Sequence, residues 1–306
     1  MLIAHLSDAH IGPLPAPRLR ELAGKRITGW MNWRRGRALA HDMDALARIR
    51  ADIHAHAPDH IALTGDVVNI GLTAEFPAAR AFVETLGPPE RVSFTPGNHD
   101  AYVRSALGPL RQYLGPWMAS DAGEPPGPVD GFPFLRRRDG VAFVGLCSGV
   151  PTLPFLASGR VGARQLAAAE AMLAQLRAER LCRILLIHHP PHVGGAGPGR
   201  GLTDAEAFER MIGRVGAELV LHGHNHVISL ARITGPDGAV PILGAPSASA
   251  MAGMHNHLAG YHLIRITPDG VRSQLTAATR GFRDRRQDAV GELPPVADGG
   301  RLDARS

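Results

Sequence analysis

Short apolar runs alternate along the chain with stretches whose apolar residues recur every three or four positions. Residues 2–7, 61–64, 91–95, 141–147, 183–187 and 218–221 read as strands. Between them, Leu46, Ile49 and Ile53 keep helical spacing until Pro58 stops the run. Residues 73–86 read as a helix ended by Gly87-Pro88-Pro89, residues 162–179 as an Ala-rich helix carrying Leu166, Met172, Leu173 and Leu176, and 206–215 as a shorter one. After residue 221 the pattern changes. Residues 227–233, 240–243, 261–266 and 271–277 are strands separated by turns such as Gly235-Pro236-Asp237-Gly238. Alternating units followed by hairpins predict a layered α/β domain with antiparallel additions. Two segments interrupt it: 12–39, Pro-rich and then basic, and 101–133, rich in Gly and Pro. The domain is expected to span 1–280, with 281–306, poor in apolar residues, as a flexible tail.

Composition narrows the class. At 306 residues and 44% hydrophobic content the chain can bury a sizeable core and is not disordered. No window offers the ~18 apolar residues of a membrane span, and Met1 runs straight into a strand without a signal-peptide pattern; a cytoplasmic location is expected. Cys147 and Cys182 lie in strand-like runs and are expected as buried free thiols. The net charge is 33 − 28 = +5, with Lys25 the only lysine, which permits an acidic partner without naming one.

Candidate chemistry sits at one kind of place. Asp8-Ala9-His10, Gly65-Asp66, Gly97-Asn98-His99-Asp100, His188-His189-Pro190-Pro191 and Gly223-His224-Asn225-His226 each follow an apolar strand. In open α/β sheets ligands bind outside the carboxyl ends of the strands, so strands sharing a sheet bring these blocks to one rim. Imidazole and carboxylate without thiolate suit Mn, Fe or Zn. A carboxylate can bridge two such ions. Glycines 65, 97 and 223 allow close backbone approach. Each block alone has a plain reading as a turn or an exposed loop; their conjunction at five strand ends does not.

These five blocks, in this order, resemble the calcineurin-like metallophosphoesterase superfamily over about residues 1–279, in the branch of the class III cyclic nucleotide phosphodiesterases. The resemblance implies a four-layer α/β/β/α sandwich with two lid insertions. It implies one divalent metal on Asp8, His10, Asp66 and His226 and a second on Asp66, Asn98, His188 and His224. It also implies P–O hydrolysis of a small, cyclic-nucleotide-like phosphodiester by a metal-bridging hydroxide. His99 would assist the leaving oxygen and Asp100 would orient His99 and keep it protonated. His189 is expected either behind the ligands or, as the favoured reading, at the surface, and His222 in the core or at the rim.

Substrate choice is less legible. Between Arg18 and Arg37 lie seven basic residues (Arg18, Arg20, Lys25, Arg26, Arg34, Arg35, Arg37) against Glu21, together with Trp30 and Trp33. Leu19, Leu22, Ala23, Ile27, Trp30 and Met31 fall near one helical face, weakened by Gly24 and Gly29. A packed lid with a solvated arginine face and a peripheral membrane contact through 18–37 both fit. The membrane reading favours a lipid-linked pyrophosphate such as UDP-2,3-diacylglucosamine. Segment 101–133 is expected as a second wall of the cleft, and His255-Asn256-His257 as a hairpin loop or rim. A non-catalytic scaffold is disfavoured because every ligand position is filled. A nuclease is disfavoured because no coiled-coil or capping segment is present, so no nucleic-acid partner is expected.

Overall fold

The computed structural model describes residues 1–251, 258–269, 272–296 and 301–302; His255, Asn256 and His257 lie outside them. The chain opens with strand β1 (Leu2–Leu6), passes through helices α1 (Lys25–Asn32) and α2 (Ala38–Ala40), and enters helix α3 (Met43–Ala55). Asp42 caps α3 by accepting from the amides of Asp44 (2.8 Å) and Ala45 (3.0 Å). Ala45, Leu46, Ile49 and Ile53 put its apolar stripe into the core. Then come β2 (His60–Leu63), α4 (Phe76–Leu86), β3 (Val92–Phe94) and α5 (Leu107–Leu114). The second half runs β4 (Phe134–Arg138), β5 (Val141–Gly145), α6 (Ala163–Ala178), β6 (Cys182–Leu186), α7 (Ala205–Val215) and β7 (Leu219–His222). It closes with β8 (Ser229–Gly235), β9 (Gly238–Gly244), β10 (Gly260–Asp269), β11 (Arg272–Gly281) and β12 (Gly291–Glu292).

Two six-stranded sheets result, ordered β12-β11-β10-β1-β2-β3 and β4-β5-β6-β7-β9-β8. In the first, β1, β2 and β3 are parallel, with Ala4 opposite Ile61 and Leu63 opposite Phe94. In the second, β5, β6 and β7 are parallel, with Val144 opposite Leu185 and Leu186 opposite Leu221. Residues of both sheets, among them Ile3, Phe143, Ile184, Leu221 and Ile264, share one buried cluster. A second cluster joins the first sheet to α3, α4 and α5, and a third joins the other sheet to α6 and α7. The mixed α/β architecture is the expected one, and it aims the carboxyl ends of the parallel strands at the site.

Three details differ from expectation. Segment 101–133 is not a wall of the metal-site cleft beyond Tyr102. Leu110, Leu114, Trp117 and Met118 are buried against the first sheet's outer cluster, and the segment borders a separate cavity of about 450 Å³. Residues 281–296 do not trail away: β12 pairs with β11, and Phe282 and Leu293 are buried. Cys182 is buried as expected, but Cys147 is only partly so; both are free.

Candidate metal centre

The turns after β1, β2, β3, β6 and β7 meet. Asp8 donates its amide to the Gly65 carbonyl (2.9 Å) and His10 to that of Asp66 (3.0 Å). Gly223 donates to the His188 carbonyl (3.0 Å), and the His224 amide to Asp8 Oδ2 (2.9 Å). Asp8, His10, Asp66, His224 and His226 all hold positive φ, between 41° and 70°. Side chains rarely adopt that region, and such strain gathers at functional sites. Two glycines are required by close approach: a Cβ on Gly97 would overlap the Asp66 carboxylate, and one on Gly223 the Ser7 hydroxyl.

The expected ligand side chains converge. His226 Nε2 stands 3.1 Å from Asp8 Oδ1, and His188 Nε2 3.2 Å from Asp66 Oδ2. His188 Nε2 is also 3.2 Å from Asn98 Oδ1 and 3.2 Å from His224 Nδ1. Ligand atoms of Asp8, His10 and His226 lie within 4.8 Å of one another; so do those of Asp8, Asp66 and His188. His10 Nδ1 and His188 Nδ1 face the carbonyls of Val68 (3.2 Å) and Thr64 (2.7 Å), which fixes the ring orientations. His224 Nε2 is buried without a hydrogen-bond partner. Neutral imidazole, carboxylate and amide oxygens crowded around an unpaired buried nitrogen fit divalent cations.

Electrostatics agree. Burial opposes charge on His188, but Asp66 beside it outweighs this and lifts its pKa to about 9. Burial works against the Asp66 carboxylate, yet His188 and His99 hold its pKa well below the usual range. Burial, then Arg37, depresses His10. The centre therefore holds two carboxylates that demand positive charge; His10 and His224 are held neutral, with lone pairs to offer, while the His188 proton supplies the positive charge that a bound cation would replace.

Two roles need correction. Asp100 does not orient His99. Its Oδ2 accepts from the amides of Asp66 (2.7 Å) and Gly97 (2.8 Å), and its Oδ1 from Val67 (3.0 Å) and Val68 (3.2 Å), so it braces the two turns that carry Asp66 and Asn98. Burial and the nearby Asp66 raise its pKa to about 7 against these donors. His99 turns Nδ1 to the Asn69 carbonyl and stacks on Tyr102, with Nε2 4.0 Å from Asp66 Oδ2. Burial and Arg37 lower its pKa to about 3, against the opposing pull of Asp66 and the Asn69 carbonyl. His189 is not at the surface either. It is fully buried, with Nδ1 2.8 Å from the Ser148 hydroxyl and Nε2 3.1 Å from the Ala157 carbonyl, which occupies both ring nitrogens. His222 is a core residue of β7.

Over the centre lies a cleft of about 360 Å³. Lys25, Thr28, Asn32 and Arg37 of the first inserted segment line it, as do His41 and Arg200. Sequence reasoning missed the last two. His41 packs on His10 at 4.5 Å between ring centres, and Arg37 Nη2 donates to His10 Nε2 (3.2 Å). No motif marks either missed residue, since loop paths alone bring them in. Segment 12–40 also departs from a single packed helix. Gly24, at φ 72°, breaks it before α1, and α1 is inverted: Lys25 and Arg26 are buried while Ile27 and Met31 face out.

A family model for calcineurin-like phosphoesterases matches residues 1–228, and the chain belongs to that family of phosphoric-ester hydrolases. Over 235 residues it is 29% identical to a protein described as a "probable cyclic nucleotide phosphodiesterase" from a Synechococcus strain, covering 75% of this chain and 80% of that one. Among solved structures, a dimetal phosphatase from Danio rerio shares the fold (TM-score 0.57, 15% identity, 94% of this chain and 98% of the other). So does purple acid phosphatase PPD1 from yellow lupin seeds (TM-score 0.55, 13% identity, 95% of this chain and 53% of the other). No helix among the described residues is long and apolar enough to cross a membrane.

Proposed function

We propose that the protein is a two-metal phosphodiesterase acting on a small phosphodiester of the cyclic-nucleotide type. The observation that carries this is the convergence of seven side chains from five strand ends, with Asp66 central to it: Asp66 Oδ2 is 3.2 Å from His188 Nε2 and its Oδ1 accepts from the His99 amide at 2.7 Å. Asp8, His10, Asp66 and His226 would hold one divalent cation; Asp66, Asn98, His188 and His224 the other. When bound, such a pair supplies Lewis acidity toward phosphoryl oxygens and a lowered pKa for coordinated water.

The chain's own residues do the rest. Asp100 fixes the two turns through four amides and so sets the spacing of Asp66 and Asn98. Arg37 and Arg200 give the cleft positive charge for a phosphoester anion. His99, its Nδ1 given to the Asn69 carbonyl and its ring stacked on Tyr102, turns Nε2 toward Asp66; it would stabilise charge on the leaving oxygen when Nε2 also carries a proton, which a bound phosphoester anion favours. The 29%-identical relative's description supports the cyclic-nucleotide type.

The test is a substrate panel on metal-depleted protein, with and without added Mn²⁺. It contains bis(p-nitrophenyl) phosphate, p-nitrophenyl phosphate, 2′,3′- and 3′,5′-cyclic nucleotides and UDP-2,3-diacylglucosamine. We expect no turnover without metal and diester turnover at least about tenfold above monoester turnover, a difference of about 1.4 kcal/mol in barrier. Faster monoester hydrolysis would overturn the diester reading, and exclusive cleavage of the lipid-linked pyrophosphate would replace its substrate class.

A further inference from the structure

Exposed apolar side chains are ordinary when scattered, but here they are gathered. Among the described residues eight large apolar side chains are exposed, by 38% to 90%; seven lie on two segments that line the cleft, and Val193 on a loop bonded to a residue that lines it. Leu19, Ile27, Met31 and Leu39 stand on segment 12–40. Leu153, Phe155 and Leu156 stand on the loop that receives Lys25: the Lys25 ammonium donates to the Leu156 carbonyl (2.8 Å) and the Thr152 hydroxyl (2.5 Å). Val193 belongs to the loop whose Gly195 carbonyl accepts from Asn225 in the metal-site turn.

Two local features point the same way. The inversion of α1 sends its cations inward and its aliphatic residues into solvent, the reverse of a helix built to pack on its own core. Phe155 holds φ 67°, a region bulky residues avoid, and is 86% exposed at the cleft mouth. The same rim carries charge. Arg18, Arg20, Arg34 and Arg35 are exposed, and among the described residues none pairs with a carboxylate. Glu21 is the only acid from 18 to 37.

We propose that this rim seats the protein on an anionic lipid bilayer. The aliphatic side chains enter the interface and the four arginines meet headgroup phosphates. Seven of the eight exposed apolar residues are aliphatic, which suits acyl chains; single-stranded nucleic acid is gripped by aromatic planes instead. A second copy of the chain fits poorly, because a two-fold contact would set the unpaired arginines of one copy against those of the other. The proposal goes beyond the phosphodiesterase reading by giving the protein a place of action, and leaves the small phosphodiester assigned to its cleft unchanged. Docking itself needs neither metal nor turnover, so either can fail without the other.

The experiment is flotation of the full chain, metal-free, with phosphatidylcholine vesicles and with vesicles in which about a third of the lipid is phosphatidylglycerol, at low and high salt. Wild type should float with the anionic vesicles and lose most of that binding at high salt. Leu19→Ser with Leu39→Ser and Leu153→Ser, and separately Arg34→Glu with Arg35→Glu, should each lower partitioning at least about tenfold. A matched reversal far from the rim, Arg80→Glu with Arg177→Glu, should lower it less than about twofold. Thermal unfolding midpoints are read for every variant, and the arginine set keeps the test decisive if the leucine set is misfolded. No flotation, flotation indifferent to both rim sets, or a soluble dimer that the rim variants dissociate in place of vesicle binding would each overturn the proposal.

Discussion

The strand-end turns and the segment 12–40 face each other across one cleft, and they are held by opposite means. The turns are woven from backbone: Asp8, His10 and Gly223 donate to carbonyls of neighbouring turns, and Asp100 gathers four amides beneath them. The cover has little such weave. Three side chains clamp it, Lys25 on Leu156 and Thr152, Arg26 on the carbonyls of Ile70 and Gly71, and Arg37 on His10. The candidate ligand geometry is thus set mainly by the strand-end turns, while the surface over it is pinned at a few points, one of them the His10 ring.

That contrast can be broken at the centre first. Asp100→Asn places an amide NH₂ against backbone N–H donors. It should cost about 3 kcal/mol of stability in denaturant unfolding and weaken metal affinity about 10–100-fold by metal analysis after dialysis. Unchanged stability with only an altered pH profile of kcat would return Asp100 to the role of orienting an imidazole. The next test lies in the sheets beneath. His262 is fully buried, bonded to Gly244 and Thr279 with His5 at 5.7 Å, and burial drives its pKa down to about 4. An unfolded histidine titrates near 6.5, so below that pH the unfolded chain binds a proton the folded one refuses. Stability should therefore fall as pH drops from about 6.5 to about 4, by up to roughly 3 kcal/mol from this residue. His262→Asn should flatten that slope in unfolding measured across the window. The smallest effect belongs to the cover. Lys25→Met should cost about 1 kcal/mol, raise KM a few-fold and leave metal content unchanged. Loss of metal from that variant would show cover and centre to be one unit.

The centre was legible because ligand chemistry follows apolar strand runs directly, and strand order then dictates convergence. What escaped depends on side-chain reach. Strand β4, Phe-Leu-Arg-Arg-Arg, is absent from the strands the pattern predicts, yet Arg136 is buried and donates to the carbonyls of Val92 (2.6 Å), Pro116 (2.8 Å) and Ala119 (2.9 Å). The face of α1 was misjudged for the same reason: hydrophobicity assigns cations to solvent, and here carbonyl acceptors draw two of them inward. Asp100 beside His99 looked like a carboxylate–imidazole pair, but the turn points its oxygens at amides. Adjacency in sequence carries no direction for a side chain.

The left-handed backbone at Asp8, His10, Asp66, His224 and His226 has a further implication for how such a chain can change. Glycine or asparagine at those positions would relax the local conformation while erasing or weakening a donor. Selection for robustness and selection for catalysis therefore pull in opposite directions at these five residues. A lineage released from turnover would be expected to drift there first, toward a sturdier and inert descendant.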